Sequence, residues 1–357
     1  MMRKTLGIVL VLILTLSLTA CGGGYEIAMI STAEGVEDDS YNQLVWESLS
    51  TYAEDHGITH RVYQPQENET TFFIDSIDLA VARGAKVVLA PSFMFEDAFY
   101  EAQDTYPEVK FILIDGRLTD ATYEKTLNNN VMAIRFATHE AGFLAGYATV
   151  KEGKTSFGFL GGTAIESVQS YGIGYIAGAF YAAKEMDVSI TFSSDNYEYR
   201  NFFTEYVFVR HWASAMYTGG VEVILSAAGE ADLNVMIAAQ TNDAWMVATD
   251  TDRSHLNEHV LVSAVKALED AVELGLDFYY NDTFEGGKTL TLGVDENGVQ
   301  LTMETARFET FTQADYDTIY NALASGAIAV PDSYASLVTF FSDNDLDELP
   351  FTKSSLE

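Results

Sequence analysis

Short apolar runs alternate with amphipathic stretches along most of this chain. Tyr25–Ile30, Arg61–Gln64, Lys86–Pro91 and Val109–Asp115 read as short strands; Lys86–Pro91 is rich in Val and Leu, and Val109–Asp115 is a buried apolar run. Helices are predicted between them over Tyr41–His56, Thr71–Arg83 and Phe95–Thr105. Phe73, Ile77, Ala80 and Val81 share one face of the second, and Gly57 and Gly84 stop the first two. Ser40 and Gln43 stand at capping-box spacing before the first helix. A second series begins near Val131, with strands expected at Val131–Phe136, Ser156–Leu160, Ser189–Ser193, Glu222–Ala227 and Trp245–Asp250. Helices are expected at Glu140–Val150, Val168–Met186, Phe202–Tyr217 and Asp232–Gln240. The remainder reads as a strand (His259–Val265), a helix (Ala267–Gly275), a strand turning at Asn297-Gly298 (Leu290–Val294) and a last helix (Ala314–Ser325).

Two strand–helix series of similar length predict an α/β protein with two doubly wound parallel-sheet lobes. The remainder is too short for a third domain. It is expected to complete both lobes by crossing between them, which makes a multi-strand hinge. The expected boundaries are 25–132 plus 257–289 for the N-terminal lobe, 133–256 plus 290–345 for the C-terminal lobe, and a tail over 346–357.

The amino terminus changes where this fold is expected to work. Arg3 and Lys4 precede an apolar run from Leu6 to Leu18, the layout of a secretory signal and short for a bilayer span. Leu18-Thr19-Ala20 then meets Cys21, the single cysteine, and Gly22-Gly23-Gly24. That arrangement resembles a bacterial lipobox. It implies a signal peptide over 1–20, lipidation of Cys21 and a short tether over 21–24, which hold the protein on the extracytoplasmic face of the cell membrane. One cysteine excludes an internal disulfide and a cysteine metal cluster. The formal charge of −34 repels nucleic acid and anionic headgroups, so a nucleic-acid partner is not expected.

In open parallel sheets ligands sit beyond the carboxyl ends of the strands. The residues there are small, acidic or aromatic: the acid-rich stretch Ser31 through Ser40 after the first strand, Pro91, Ser92 and Phe93 after the third, Asp115 after the fourth. The second lobe adds Tyr197, Gly229 and Asp250. Aromatic faces suit a flat ring, and ionised aspartates accept hydrogen bonds from hydroxyls or amines. Asp39 with Ser40 also suits a helix cap, and Lys266 by position alone suits a side chain reaching solvent. Catalytic patterns are missing: the six histidines form no HExxH, and there is no nucleophile elbow or Walker loop. Gly172-Ile173-Gly174-Tyr175-Ile176-Ala177-Gly178 has one residue too many for a dinucleotide fingerprint and falls inside a predicted helix, so close helix packing is expected there. Asp250-Thr251-Asp252 lacks the glycine of a calcium loop. No enzyme activity, cofactor or metal is expected.

The segment Glu37-Asp38-Asp39-Ser40-Tyr41-Asn42-Gln43-Leu44-Val45-Trp46-Glu47 resembles the signature of the basic membrane protein (PnrA-like) family of nucleoside-binding lipoproteins. Ser92-Phe93-Met94-Phe95-Glu96-Asp97-Ala98, Tyr106 to Asp115, Glu140-Ala141-Gly142-Phe143-Leu144-Ala145-Gly146, Phe157 to Gly162 and Thr249-Asp250-Thr251-Asp252-Arg253-Ser254 resemble it in the same order. The resemblance implies a type I periplasmic-binding fold, a monomer that closes on a nucleoside, and delivery to ABC permease and ATPase subunits. It implies stacking of the base on Tyr41, where the family usually has phenylalanine, with Asp39 and Asn42 on the base edge. Asp115, Asp250 and Lys266 are implied at the ribose. The second-lobe turns depart from the pattern: Gly229 alone remains of a glycine-rich turn, and Asp195-Asn196-Tyr197-Glu198 replaces the usual aromatic turn. A sugar ligand, or a sensor acting on a membrane receptor, stays open.

Overall fold

The computed structural model describes residues 24–37, 41–117, 127–200 and 207–356. Cys21 and Asp39 therefore lie outside the described residues. In chain order the first elements are β1 (Ile27–Ile30), α1 (Tyr41–Asp55), β2 (His60–Tyr63), α2 (Thr70–Ala82), β3 (Val87–Pro91), α3 (Glu96–Thr105), β4 (Lys110–Ile114) and β5 (Val131–Phe136). They are followed by α4 (Thr138–Lys151), β6 (Phe157–Gly161), α5 (Glu166–Met186), β7 (Tyr197–Tyr199), α6 (Val207–Thr218), β8 (Val223–Ala227), α7 (Asp232–Asn242) and β9 (Trp245–Asp250). The chain ends with β10 (Val260–Lys266), α8 (Leu268–Tyr280), β11 (Lys288–Leu292), β12 (Val299–Leu301), α9 (Gln313–Ala324), α10 (Tyr334–Asp343) and α11 (Lys353–Leu356).

The strands make two six-stranded sheets, ordered β11-β5-β4-β3-β1-β2 and β12-β10-β9-β8-β6-β7. Every pairing is parallel except β10 with β12. The inner strands β1, β3, β6 and β8 are buried along their whole length, as expected for sheets covered by helices on both faces. The fold is thus two doubly wound parallel-sheet lobes joined by a multi-strand hinge. Among the described residues no helix is long and apolar enough to cross a membrane.

The hinge has three passages. The chain leaves the first sheet after β5, returns after β10 and leaves again after β11. Ala137 and Ala267, which begin the first two passages, hold nearly the same backbone angles (φ −77°, ψ 68° and φ −76°, ψ 68°). Both are tied to the third passage: Ala137 N donates to Leu292 O and Ala267 N to Gly298 O, each at 2.9 Å. These pairings correct the expected boundaries. β5 and β11 belong to the first sheet and β10 to the second, because each crossing follows its strand rather than preceding it.

Two other expectations change. No strand forms at Ser189–Ser193; Thr191 makes only an isolated bridge to Ser156, and the edge strand is β7, whose Tyr197 pairs with Phe159. The tail is not separate. Phe351 and Leu356 are buried, Phe351 lies against Phe192 and Tyr197, and Tyr199 donates its hydroxyl to Leu356 O at 2.9 Å.

The second lobe is built around a backbone-to-backbone contact between α4 and α5. A Cβ on Gly142 or Gly146 would stand 2.2 or 2.3 Å from a carbonyl oxygen of α5. One on Gly174 or Gly178 would stand 1.8 or 2.0 Å from a carbonyl oxygen of α4. The glycine run of α5 therefore serves helix packing. Gly174→Ala forces the helices apart and should cost about 1–3 kcal/mol, read as a lower urea midpoint. An unchanged midpoint would show that the two backbones do not meet.

Candidate functional site

The carboxyl ends of both sheets open into one cleft of about 470 Å³. Its centre is a buried cation. Lys266 ends β10 with a side chain only 4% exposed, and its Nζ lies 2.6 Å from Asp115 Oδ2 and 2.8 Å from Asp250 Oδ1. Asp115 follows β4 of the first sheet and Asp250 ends β9 of the second, so the cluster spans the two lobes. Burial alone would push the Lys266 ammonium down. The charges of Asp115 and Asp250 outweigh it and raise it, so it stays protonated. The positional reading of Lys266 as solvent-reaching is thereby corrected: two carboxylates supply the partners that water would otherwise give.

Two tyrosines flank this cation. Lys266 Nζ lies 5.7 Å from the Tyr41 ring centroid and 5.6 Å from that of Tyr171. Burial, followed by the charges of Asp115 and Asp250, holds the Tyr41 phenol far above its usual range. Burial and Asp250 do the same for Tyr171. Both remain neutral donors. Tyr171 donates to Ala264 O at 3.2 Å, and its hydroxyl stands 3.4 Å from Asp250 Oδ1.

The backbone at the strand ends is unusual in the same place. Ser92, Asp115 and Asp250 have φ of 92°, 58° and 71°. Non-glycine residues held in the left-handed region concentrate where the fold over-determines them, often at ligand sites. At Ser92 the twist lets Oγ accept from Met94 N at 3.3 Å, which opens the short helical turn Phe93–Phe95 and brings Phe93 to the cleft. Asn42 also reaches the cleft, but its amide is bound to Thr32. Oδ1 accepts from Thr32 N at 3.3 Å and Nδ2 donates to Thr32 Oγ1 at 3.1 Å.

The Gly229 turn is held by a buried network. Asp232 Oδ1 accepts from the Ser226 hydroxyl and from Ala228 N. Arg253 donates to Gly229 O at 3.0 Å and stands 3.8 Å from Asp232 Oδ2. Because Arg253 lies in the loop after β9, the network couples the Gly229 turn to the Asp250 turn.

Beside the cleft lies a smaller cavity of about 270 Å³. There Glu166, the first residue of α5, pairs with Arg117 and Arg135 of the first lobe, each at 2.7 Å. Burial pushes the neighbouring Glu96 carboxyl up to about 7.

Of the expected site residues, Tyr41, Asn42, Ser92, Phe93, Asp115, Gly229, Asp250 and Lys266 line the cleft together. Tyr197 does not. It is 4% exposed, stacks on Phe159 at 4.4 Å, and hydrogen bonds through its hydroxyl to that of Tyr199. Its hydroxyl occupies the space a Cβ of Gly172 would need. Among the described residues the second-lobe aromatic at the cleft is Tyr171. Sequence reasoning missed it, along with Asn68; Thr32 and Glu34 fell within the Ser31–Ser40 stretch after the first strand without being singled out. The available signal for Tyr171 was its position in the first turns of the helix after β6, three residues beyond Val168. Among the described residues no group of three or more His, Cys, Asp or Glu could hold a metal.

The family model for the ABC transporter substrate-binding protein PnrA-like (Bmp) matches residues 26–333. The chain is 27% identical over 306 residues to the ABC transporter nucleoside-binding protein BmpA of Lactococcus lactis subsp. cremoris, covering 80% of this chain and 83% of that one. It is 32% identical over 252 residues to basic membrane protein D of Borreliella burgdorferi, covering 67% and 69%. Among solved structures, a solute-binding protein of an ABC transporter system from Aeropyrum pernix superposes with a TM-score of 0.71. That likeness holds at 17% identity over 89% of this chain and 97% of the other, and it bears on the fold.

Burial raises the Asp232 carboxyl to about 7, against the pull of Arg253 and Ser226. The folded chain then keeps a proton that the unfolded chain releases near pH 4. This group stabilises the fold below that range and loses its contribution as pH rises to about 7. Asp232→Asn cannot titrate, so chemical denaturation of the variant should show a shallower fall in stability between about pH 4 and about pH 7. Identical slopes would place the Asp232 proton elsewhere.

Proposed function

Because the chain belongs to the PnrA-like family of ABC transporter substrate-binding proteins, we propose that it captures a purine nucleoside between its lobes and delivers it to a membrane permease and its ATPase. One observation carries the reading: two aspartates bound to a buried lysine stand beside the Tyr41 ring in a largely apolar cleft. Each carboxylate gives one acceptor site to Lys266 and keeps others for ligand hydroxyls. Asp115 and Asp250 come from different strands and different lobes, which suits neighbouring hydroxyls of a ribose. Tyr41, Phe93, Tyr171, Ile165 and Val168 supply an aromatic and aliphatic lining suited to a base. A free sugar would fill only the polar half. The cleft volume lies in the range of small-molecule sites.

In this reading the ligand bridges the lobes and favours a closed form; beside the cleft, Arg117 and Arg135 of the first lobe pair with Glu166 of the second. Nothing is transformed: the cycle is capture, closure, docking and release, with no cofactor. Cys21 carries the lipid, the glycines that follow tether the lobes to the outer face of the cell membrane, and the monomer is the working unit.

A melting scan against nucleosides, free bases, sugars and amino acids tests the ligand class. Purine nucleosides should raise the midpoint, since ligand at 100 times its Kd stabilises by about 2.7 kcal/mol. A shift with another class and none with purine nucleosides would overturn the reading. Asp115→Ala should weaken nucleoside binding by about tenfold or more; unchanged affinity would remove Asp115 from the site.

A further inference from the structure

The ligand cleft and the smaller cavity beside it share a wall. Phe93, Asp115, Ile165 and Ser167 line both. Asp115 is one of the two aspartates placed at the ribose in the reading above. A substituent carried past it enters the smaller cavity, whose volume of about 270 Å³ has room for a phosphate. Two guanidinium groups of the first lobe line that cavity, from Arg117 after β4 and Arg135 on β5. Paired arginines suit a phosphate, because their planar donors match its oxygens two at a time.

A carboxylate of the protein already takes that place. Glu166 Oε2 accepts from Arg117 Nη1 and Oε1 from Arg135 Nη1, each at 2.7 Å. The carboxylate is positioned from both lobes. Glu166 opens the 21-residue helix α5, whose amino end favours a negative charge. The next residue, Ser167, accepts through its carbonyl from the Thr138 hydroxyl at 2.8 Å. Arg135 Nε donates to Thr291 Oγ1 at 3.0 Å, and Arg117 N donates to Glu96 Oε1 at 2.6 Å. Partial burial pushes the Glu166 carboxyl up, but the two arginines outweigh this and hold it below its ordinary range. The surroundings bring no further cation: Glu96 and Asp332 are acids, and His139, pushed down to about 4 by burial, is neutral at neutral pH. Among the described residues the cations lining the two cavities are Lys266, Arg117 and Arg135, and each is held by a carboxylate of the chain.

We propose that Glu166 is a specificity residue: it occupies the arginine pair from within, so the cleft takes nucleosides and turns away nucleoside monophosphates. The inference rests on the nucleoside reading above and adds what the ligand must lack. A phosphate on the ribose would have to displace the carboxylate from both guanidinium groups and then share a small cavity with it. Like charges forced together cost a ligand much of its affinity. A ribose hydroxyl, being neutral, meets no such conflict. Glu166 thus acts by repulsion and needs no contact with a bound nucleoside.

Calorimetric titration of the full chain with guanosine and adenosine, each beside its 5′- and 3′-monophosphate, tests this. In the unaltered chain both monophosphates should bind more weakly than the parent nucleoside by about a hundredfold or more. Glu166→Ala removes the resident carboxylate and should narrow that gap by about tenfold or more for at least one monophosphate. Glu166→Gln keeps the side-chain volume, drops the charge and should narrow it in the same direction. Arg135→Ala added to Glu166→Ala should widen the gap again, since the phosphate loses a guanidinium partner. The ratio is read rather than either affinity alone, so a general weakening of closure does not mimic the effect. A gap that neither Glu166 variant narrows, or that stays narrow without Arg135, overturns the proposal and leaves the nucleoside reading standing. A monophosphate bound by the unaltered chain as tightly as its nucleoside does the same. Failure of both nucleosides to bind the unaltered chain overturns both.

Discussion

An ammonium group removed from water has to find its countercharge inside the protein, and at Lys266 that requirement organises the cleft. The two carboxylates that satisfy it belong to different sheets. The cation therefore sets how close the β4 end of one lobe stands to the β9 and β10 ends of the other. Tyr41 and Tyr171 close the remaining sides, and their neutral hydroxyls add donors without adding charge. With one positive and two negative groups, the cluster keeps a net negative charge and spare acceptor sites. Those are what a hydroxylated ligand needs. Asp115 and Asp250, 12% and 22% exposed, can still be reached, whereas the lysine cannot.

Behind this centre the lobes are stiffened in different ways. In the second lobe, glycines let α4 and α5 approach until backbone meets backbone, and the Asp232–Arg253 network locks two strand-end turns to each other. In the first lobe the corresponding bracing is hydrogen bonding of side chains to loops: Asn42 to Thr32, Asn68 to Ala33, Ser92 to Met94. The scaffold is thus closely packed where the cleft wall is a helix, and threaded with amides and hydroxyls where the wall is a loop.

The sequence made the parallel-sheet architecture legible because buried strands announce themselves. The run Val-Lys-Phe-Ile-Leu-Ile before Asp115, and Val-Val-Leu-Ala-Pro before Ser92, have few other readings, and both turned out to end at the cleft. The resemblance carried Lys266 to the site against its positional reading. What could not be read was set by contacts distant along the chain. Tyr197 sits at a strand end, but a gap above Gly172 and the face of Phe159 draw its ring into the core. The β10 strand could have paired with either sheet; its apolar pattern is the same in both cases, and only the ladder to β9 decides. Glu34 fell within the acid-rich stretch after the first strand, but its pairing with Asn68, 34 positions further on, could not be read from either stretch alone.

The three hinge passages, laced together by hydrogen bonds from Ala137 and Ala267, have a mechanical consequence. Three parallel connections side by side behave as a leaf flexure: compliant about one axis, stiff against shear and twist. Such a joint leaves the lobes a single path between open and shut. Under the function proposed above, filling the cleft then changes the outer outline along that one path.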